Sequence, residues 1–461
     1  MNYTLPHDVK NILDKFQKAG FQIYIVGGAV RDLLMKRAVS DWDFTTDAKP
    51  EEILKIFPEG FYDNKFGTVG IPVKTTWKES KPTFQVSAIN MNVYEITTMR
   101  KEGAYEDFRH PGKIAWTNRI EEDLARRDFT INAIALSPPK VFDPFNGQDD
   151  IRKKIIRTVG NPNDRFNEDA LRLIRAARIA TELKFDIEND TFEAIRKNIQ
   201  LIKQVSHERV RDELFKLLAS TNPYIGTMRL RELGIAEIIL PELERCFGIV
   251  QEGPKHDRVY DIGEHSLLTL KHCPSKDPLV RLAALLHDIG KPDTHKITPD
   301  GNVTFYNHDV VGGRLVLALA KRFNLSKKQT DKLFKLVRWH LFTVDERQTD
   351  AAIRRFIKNI GVENIDDMMD LRIGDRLGGG TQKAVSWRME KFRERIHQVM
   401  QKPFSISDLK VSGHEVMKVL GIKEGPKVGE ILQKLFEEVL EDSSKNTRDY
   451  LLRRIKAISM T

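Results

Sequence analysis

The first third of the chain alternates short apolar runs with polar breaks. FQIYIV, FTTDA, VGIPV, FQVSAIN, VYEITTM and FTINAIAL are rich in β-branched and aromatic side chains and read as strands. Short helical stretches lie between them, so residues 1–147 are expected to form an α/β head on one sheet. From about residue 148 the apolar period becomes helical, as in EDALRLIRAARIATELKF, RVRDELFKLL and PYIGTMRLRELGIAEIIL. The remainder is expected to be almost all-helical, giving an α+β chain. CFGIVQEGPKHDRVYD, with its Gly and Pro, divides residues 148–255 from a His-rich helical block at 256–385. A last helical region, 386–461, contains QKPFSISDLKVSGHEVM and ends in a charged amphipathic helix, LEDSSKNTRDYLLRRIKAI.

Composition narrows the class. A chain of 461 residues exceeds one ordinary core and is expected to hold several domains. With 40% hydrophobic and 31% charged residues, and no apolar run near the roughly 20 residues of a membrane span, no membrane association is expected. MNYTLPHDVKNILDKF lacks the pattern of a signal peptide, so the expected location is cytoplasmic. Two cysteines, Cys246 and Cys273, make neither a disulfide framework nor a four-thiolate zinc site. A net charge of +9 favours a polyanionic partner, because Lys and Arg contacts to phosphates release counterions.

FQIYIVGGAVRDLLM reads as strand, Gly-Gly turn and amphipathic helix, which brings backbone N–H groups near Gly27 and Gly28 to a place where they can face a phosphate. Such turns more often only let the backbone bend. In SDWDFTT, however, Asp41 and Asp43 alternate along an extended segment and share a face. Side by side, two carboxylates repel unless a cation sits between them, which suits one or two Mg²⁺ ions and in-line attack by a hydroxyl on a triphosphate. The alternative is a solvated edge strand. Glu95, the acid within VYEITTM, argues for the cage.

In NEDALRLIRAARIA, Asp169, Arg172, Arg175 and Arg178 recur every three residues and form a drifting stripe on one side of a helix. A stripe of arginines without matching acids is either solvated, with local ion pairs, or holds anions. Downstream, His287 and Asp288 close an apolar helix, and His265, His308, His340 and Asp375 lie on segments that can converge on it. Imidazole and carboxylate together suit Mg²⁺ or a transition metal.

The order GGAVRD, DWDF, YEITTMR, RRDFTINAIA, DPFNGQDDI, NEDALRLIRAARIA resembles the bacterial class II tRNA nucleotidyltransferases, the CCA-adding enzymes of the DNA polymerase β superfamily, over roughly residues 20 to 250. The resemblance implies a polymerase β-like head followed by helical neck, body and further domains. It implies Mg²⁺ at Asp41 and Asp43 with Glu95 beside them, triphosphate contacts from Gly28 and Arg31, and nucleotide contacts from Arg127, Asp169, Arg172, Arg175 and Arg178. Asp169 and Arg172 match the pair that reads the edge of an incoming C or A in place of a template, since a carboxylate and a guanidinium fork can present the required donors and acceptors. The implied substrates are tRNA, CTP and ATP. RKEGAYEDFRHPGKIAWTNRIEEDL is similar to the family's flexible loop, which favours full CCA addition or terminal A addition over CC addition.

LAALLHDIGKP with its neighbouring histidines resembles the HD superfamily of metal-dependent phosphohydrolases. That resemblance implies His265, His287, Asp288 and Asp375 as core ligands, with His308 and His340 at positions that hold a second ion, the metal being Mg, Mn, Ni or Fe. The competing readings are an A-only tRNA-end enzyme, a poly(A) polymerase, a phosphohydrolase with a degenerate head, and a non-catalytic tRNA-binding protein. By elimination, the C-terminal helices are expected to hold tRNA through their lysines and arginines.

Overall fold

The computed structural model describes residues 4–39, 41–62, 67–74, 91–102, 114–251, 260–345, 347–381, 383–400 and 406–458. The strand expected at FQVSAIN and the centre of the expected flexible loop lie outside these residues. The chain forms two compact units, 1–240 and 241–461.

The first unit opens with helix α1 (His7–Lys18), which buries Val9, Ile12, Leu13 and Phe16, the one-face spacing of an amphipathic helix. A mixed sheet follows. Its strands are β1 (Ile23–Val26), β2 (Asp43–Thr46), β3 (Phe61–Tyr62), β4 (Thr68–Lys74), β5 (Met91–Thr98), β6 (Ala135–Ser137) and β7 (Lys140–Phe142), in the spatial order β3-β4-β5-β2-β1-β6-β7. β2 and β5 pair in parallel, and the other pairs are antiparallel. β1 is buried on both faces, which explains its unbroken apolar run. Ile23 and Ile25 join one core with α1, Phe44 and Ile96, while Tyr24 and Val26 join another with Met99, Leu124 and Ala135.

FTINAIAL is less of a strand than its composition predicts. Thr130–Asn132 form a 3-10 turn, and extended structure resumes at Ala135. Polar side chains account for the difference: the Thr130 hydroxyl donates to Asp150 at 2.6 Å and the Asn132 amide to Asp128 at 3.1 Å.

Helix α2 (Gly28–Leu34) leaves the glycine turn and α3 (Ile120–Ala125) precedes the RRDFTINA motif. NEDALRLIRAARIA is not one helix. It divides into the end of α4 (Pro162–Glu168) and the start of α5 (Leu171–Leu183), with Asp169 in extended geometry between them. The Asp169 carboxylate accepts the Leu171 N–H at 3.1 Å, a local bond that competes with helix continuation. Asp169 therefore stands off the stripe that its spacing predicts. α5 packs along α6 (His207–Ala219).

The second unit is helical among its longer elements, as expected. α7 (Ile262–His272), α8 (Pro278–Leu286), α9 (His308–Arg322), α10 (Lys327–Arg338), α11 (Asp350–Ile360) and α12 (Ile365–Gly378) follow, and all but α11 supply residues of one cleft from their turns or from the residues just past their ends. α8 is buried all round from Leu279 to Leu286, the signature of a central helix. α7 and α12 approach closely because α12 presents Gly374 and Gly378, one turn apart. A Cβ on Gly374 would stand 2.6 Å from the Thr269 carbonyl oxygen, and one on Gly378 would stand 2.7 Å from the Thr269 nitrogen. α13 (Trp387–Met400), α14 (Gly413–Leu420), α15 (Pro426–Glu441) and α16 (Arg448–Ile458) complete the unit. The terminal amphipathic helix is shorter than LEDSSKNTRDYLLRRIKAI predicts, because Asp442 accepts the Ser444 N–H and caps a 3-10 turn that separates α15 from α16.

Candidate active site

In the first unit, the sheet register brings the acids together. Asp43 lies opposite Glu95 across the parallel β2–β5 pair, and Asp41 precedes β2 by two residues on the same cleft as Asp43. Glu95 projects from the exposed face of β5, alternating with buried Tyr94 and Ile96, so this acid in an apolar strand carries no burial cost. Burial pushes the Asp43 carboxyl above its usual range, and the Asp41 charge adds to the rise, while Arg127 and Arg175 oppose it. Oxygen-only donors of this kind fit a hard cation such as Mg²⁺.

The Gly-Gly turn sits beside these acids. Gly27 has φ +70°, a conformation open to glycine, and a Cβ there would lie 3.2 Å from Arg127 Nη1 and 3.5 Å from Asp43 Oδ2. Arg127 is steadied by Asp123, fully buried on α3, at 3.3 Å, and Asp123 also holds Arg126 at 2.7 Å. Arg31 forms a fork with Asp32 at 3.1 and 3.0 Å and donates to Asn132 at 2.9 Å. A cleft of about 740 Å³ is lined by Gly28, Arg31, Asp41, Asp43, Arg175 and Arg178, among others.

The arginine stripe has acids after all, most of them supplied from other elements and one, Glu182, from α5 itself. Arg175 forks onto Asp128 at 2.9 and 2.6 Å, and Arg178 bonds Glu213 of α6 at 2.6 Å and Glu182 at 2.8 Å. Burial alone would raise Asp128, but the Arg175 guanidinium and the Asn132 amide hold it well below the usual carboxylate range. Arg31, Asn132, Asp128 and Arg175 thus form one hydrogen-bonded chain from α2 to α5.

Asp169 and Arg172 are placed differently, and neither lines the cleft. Asp169 is forked by Arg209 of α6 at 3.1 and 2.7 Å. Arg172, 8% exposed, donates to Glu168 at 2.6 Å and to the carbonyls of Arg165 and Arg126, each at 2.9 Å. Asn132 and Lys216 line the cleft without having been foreseen. Asn132 lies within RRDFTINA, whereas no local pattern marks Lys216, Glu213 or Arg209.

The second unit gathers all six residues singled out there. His265, His287 and Asp288 offer donor atoms within 4.8 Å of one another, as do Asp288, His308 and His340. Asp288 is common to both trios. Asp375 Oδ1 lies 3.2 Å from His265 Nε2. His287, His308 and His340 turn Nδ1 toward the backbone carbonyls of Ala284, Phe305 and Val337 at 2.9, 2.7 and 2.7 Å. With Nδ1–H donating, each ring presents Nε2 as a lone pair, the outer-shell arrangement typical of metal-bound imidazole. Burial lowers His340 to about 3, with His287 adding to the effect, so its imidazole is neutral at neutral pH. Burial opposes charging of His287, yet Asp288 and Asp375 raise it. Mixed nitrogen and oxygen donors around a shared carboxylate fit one or two divalent ions.

Residues 23–157 match the family model of the Poly A polymerase head domain, and 258–365 match the HD domain. Residues 184–247 match a model described as "Probable RNA and SrmB- binding site of polymerase A". A CCA-adding enzyme from Ligilactobacillus salivarius is 30% identical over 461 residues, covering 99% of this chain and 98% of that protein. An A-adding tRNA nucleotidyltransferase from Deinococcus radiodurans is 37% identical over 331 residues, 69% of this chain and 75% of that protein. Among solved structures, the CCA-adding enzyme of Bacillus stearothermophilus in complex with CTP has a similar fold, with TM-score 0.67 at 24% identity, covering 99% of this chain and 98% of that one.

Proposed function

This chain belongs to the tRNA nucleotidyltransferase family of the CCA-adding enzymes, and on that premise we propose that it transfers CMP and AMP from CTP and ATP to the 3′ end of tRNA without a nucleic-acid template. The observation that carries the reading is the register of Asp43 against Glu95, with Asp41 beside them on a cleft that also holds Gly28 and Arg31. In the reaction, a bond forms between the tRNA 3′ oxygen and the α-phosphorus, the bond from that phosphorus to the bridging oxygen of the β-phosphate breaks, and pyrophosphate leaves. Asp41, Asp43 and Glu95 would hold divalent metal, which supplies charge neutralisation and an activated hydroxyl.

Arg31 and Arg127, each fixed by an acid, orient the triphosphate beside the Gly27–Gly28 turn without first having to be ordered. Arg175 and Arg178 add positive charge to the cleft wall. Asp169 and Arg172 read the base edge, which requires them to exchange Arg209 and Glu168 for the nucleotide. We assign nucleotidyl transfer to 1–147, nucleotide selection and RNA binding to 148–255, metal binding to 256–385, and tRNA contact to the helices of 386–461. His265, His287, Asp288 and Asp375 would hold divalent metal in the third segment, with His308 and His340 completing a second position, and phosphohydrolase chemistry fits that donor set.

Purified protein is to be incubated with tRNAs lacking the whole CCA end, lacking CA, and lacking only the terminal A, with CTP and ATP separately and together. Extension of all three to CCA is expected, and none by the D41A/D43A variant, which should still bind tRNA. The A-adding relative favours a second reading, which extension of the last substrate alone would establish. Open-ended ATP incorporation would point to poly(A) synthesis and overturn both.

A further inference from the structure

The register of the first unit's sheet sets an exposed aromatic ring in the row of the acids. Phe61 of β3 pairs with Gly70 of β4, Gly70 with Glu95 of β5, and Glu95 with Asp43 of β2. Directly paired residues share a sheet face, so Phe61 stands on the face that carries Glu95 and Asp43. Gly70 has no side chain to fill the place between ring and acid. A Cβ there would lie 2.6 Å from Cζ of Phe61 and 2.9 and 3.0 Å from its two Cε atoms. The tip of the ring therefore rests on β4, with β5 and Glu95 one strand spacing, about 4.8 Å, beyond.

Covering a strand glycine is one use of an aromatic side chain, but it does not account for where this one stands. Phe61 is 47% exposed, and Val93, two residues before Glu95 on the same face, is 46% exposed. The cleft of the first unit lies on the other side of the acids. Its lining includes Asp41 and Asp43 and, among the described residues, none from β3, β4 or β5. In-line displacement brings the attacking hydroxyl to the α-phosphorus opposite the leaving pyrophosphate. A nucleoside triphosphate held in that cleft is thus met by the RNA end from the far side of the acids, where Phe61 and Val93 are. Three carboxylates repel RNA phosphates, so an uncharged contact suits this position.

We propose that Phe61 is a stacking platform for the terminal base of the RNA strand being extended, and that it thereby sets the 3′ hydroxyl against the acids. The proposal rests on the reading of this site as a tRNA-end nucleotidyltransferase. Every base has a π face, and stacking on an aromatic ring tolerates all of them. Successive additions need that tolerance, because the terminal base changes as the end grows while the hydroxyl must return to the same place. Phe61 fixes where the hydroxyl lies and takes no part in the chemistry.

The test uses the full chain, ATP and a tRNA lacking only the terminal A. F61L keeps an apolar cover over Gly70 and removes the ring, whereas F61W keeps a ring. F61L is expected to lower kcat/KM for this tRNA about tenfold with KM for ATP unchanged, and F61W to retain most of the wild-type value. A second tRNA carries an abasic ribose as its terminal residue. Wild type and F61L are expected to extend it equally, because the penalty of F61L vanishes with the base that the ring stacks on. Wild-type kinetics of F61L on the intact tRNA would show that the ring only covers Gly70. An equal penalty on both tRNAs would show that the ring acts through the strand and not through the base, and either result overturns the platform. Failure of the wild type to extend any tRNA overturns the nucleotidyltransferase reading and the platform with it.

Discussion

Asp128 shows how one buried carboxylate organises the first unit's cleft. It accepts from Arg175 and Asn132, and Asn132 in turn accepts from Arg31. D128N leaves Arg175 without its fork, and breaking a largely buried pair of this kind costs about 3 kcal/mol. The folded-state value of Asp128 lies below its unfolded value, so its contribution is fully present above about pH 4 and is lost as pH falls toward the folded value. Urea unfolding at neutral pH is therefore expected to show the full deficit of D128N, with the gap to wild type narrowing progressively below about pH 4. A constant gap would mean that the pair contributes nothing. At this scale the sequence is uneven in what it discloses. The convergence of Asp41, Asp43 and Glu95 is legible because strand alternation and a short motif define it. The partners of Asp169 and Arg178 are not, since Arg209 and Glu213 lie on a helix about 40 residues downstream whose own pattern says only that it is amphipathic.

Among the elements, helical and strand periodicity identifies most segments, and the departures come from polar side chains. Asp169 divides α4 from α5 by capping, Asp442 caps the turn that separates α15 from α16, and Thr130 and Asn132 pull the RRDFTINA segment out of the sheet. Each is a local hydrogen bond prevailing over an apolar period. The α7–α12 contact turns on size instead. G374A would drive a methyl group against the Thr269 carbonyl, an overpacking cost of about 1–3 kcal/mol that exceeds the gain of about 1 kcal/mol in helix propensity. Because α7 carries His265 and α12 carries Asp375, the variant is expected to lose Mn²⁺ affinity at least tenfold. Titration in the D41A/D43A background measures this, and unchanged affinity would show that the helices can separate without moving the ligands.

The whole molecule comprises two compact units, each with its own acid-bearing cleft, and the described residues contain no helix long and apolar enough to cross a membrane. The cage of the second unit contains no residue from the first, so H287A/D288A is expected to spare tRNA extension while abolishing Mn²⁺ uptake by that cage. Equal loss of both would mean that the cage stabilises the head. Mutations that leave Gly374 and Gly378 alone can remove donors one by one and be recognised for what they are. A relative that keeps all six donors but has gained bulk at either glycine would look complete when its ligands are inventoried. It would nonetheless carry a widened cage, so bulk at either glycine is expected to cost metal affinity as surely as the loss of a donor.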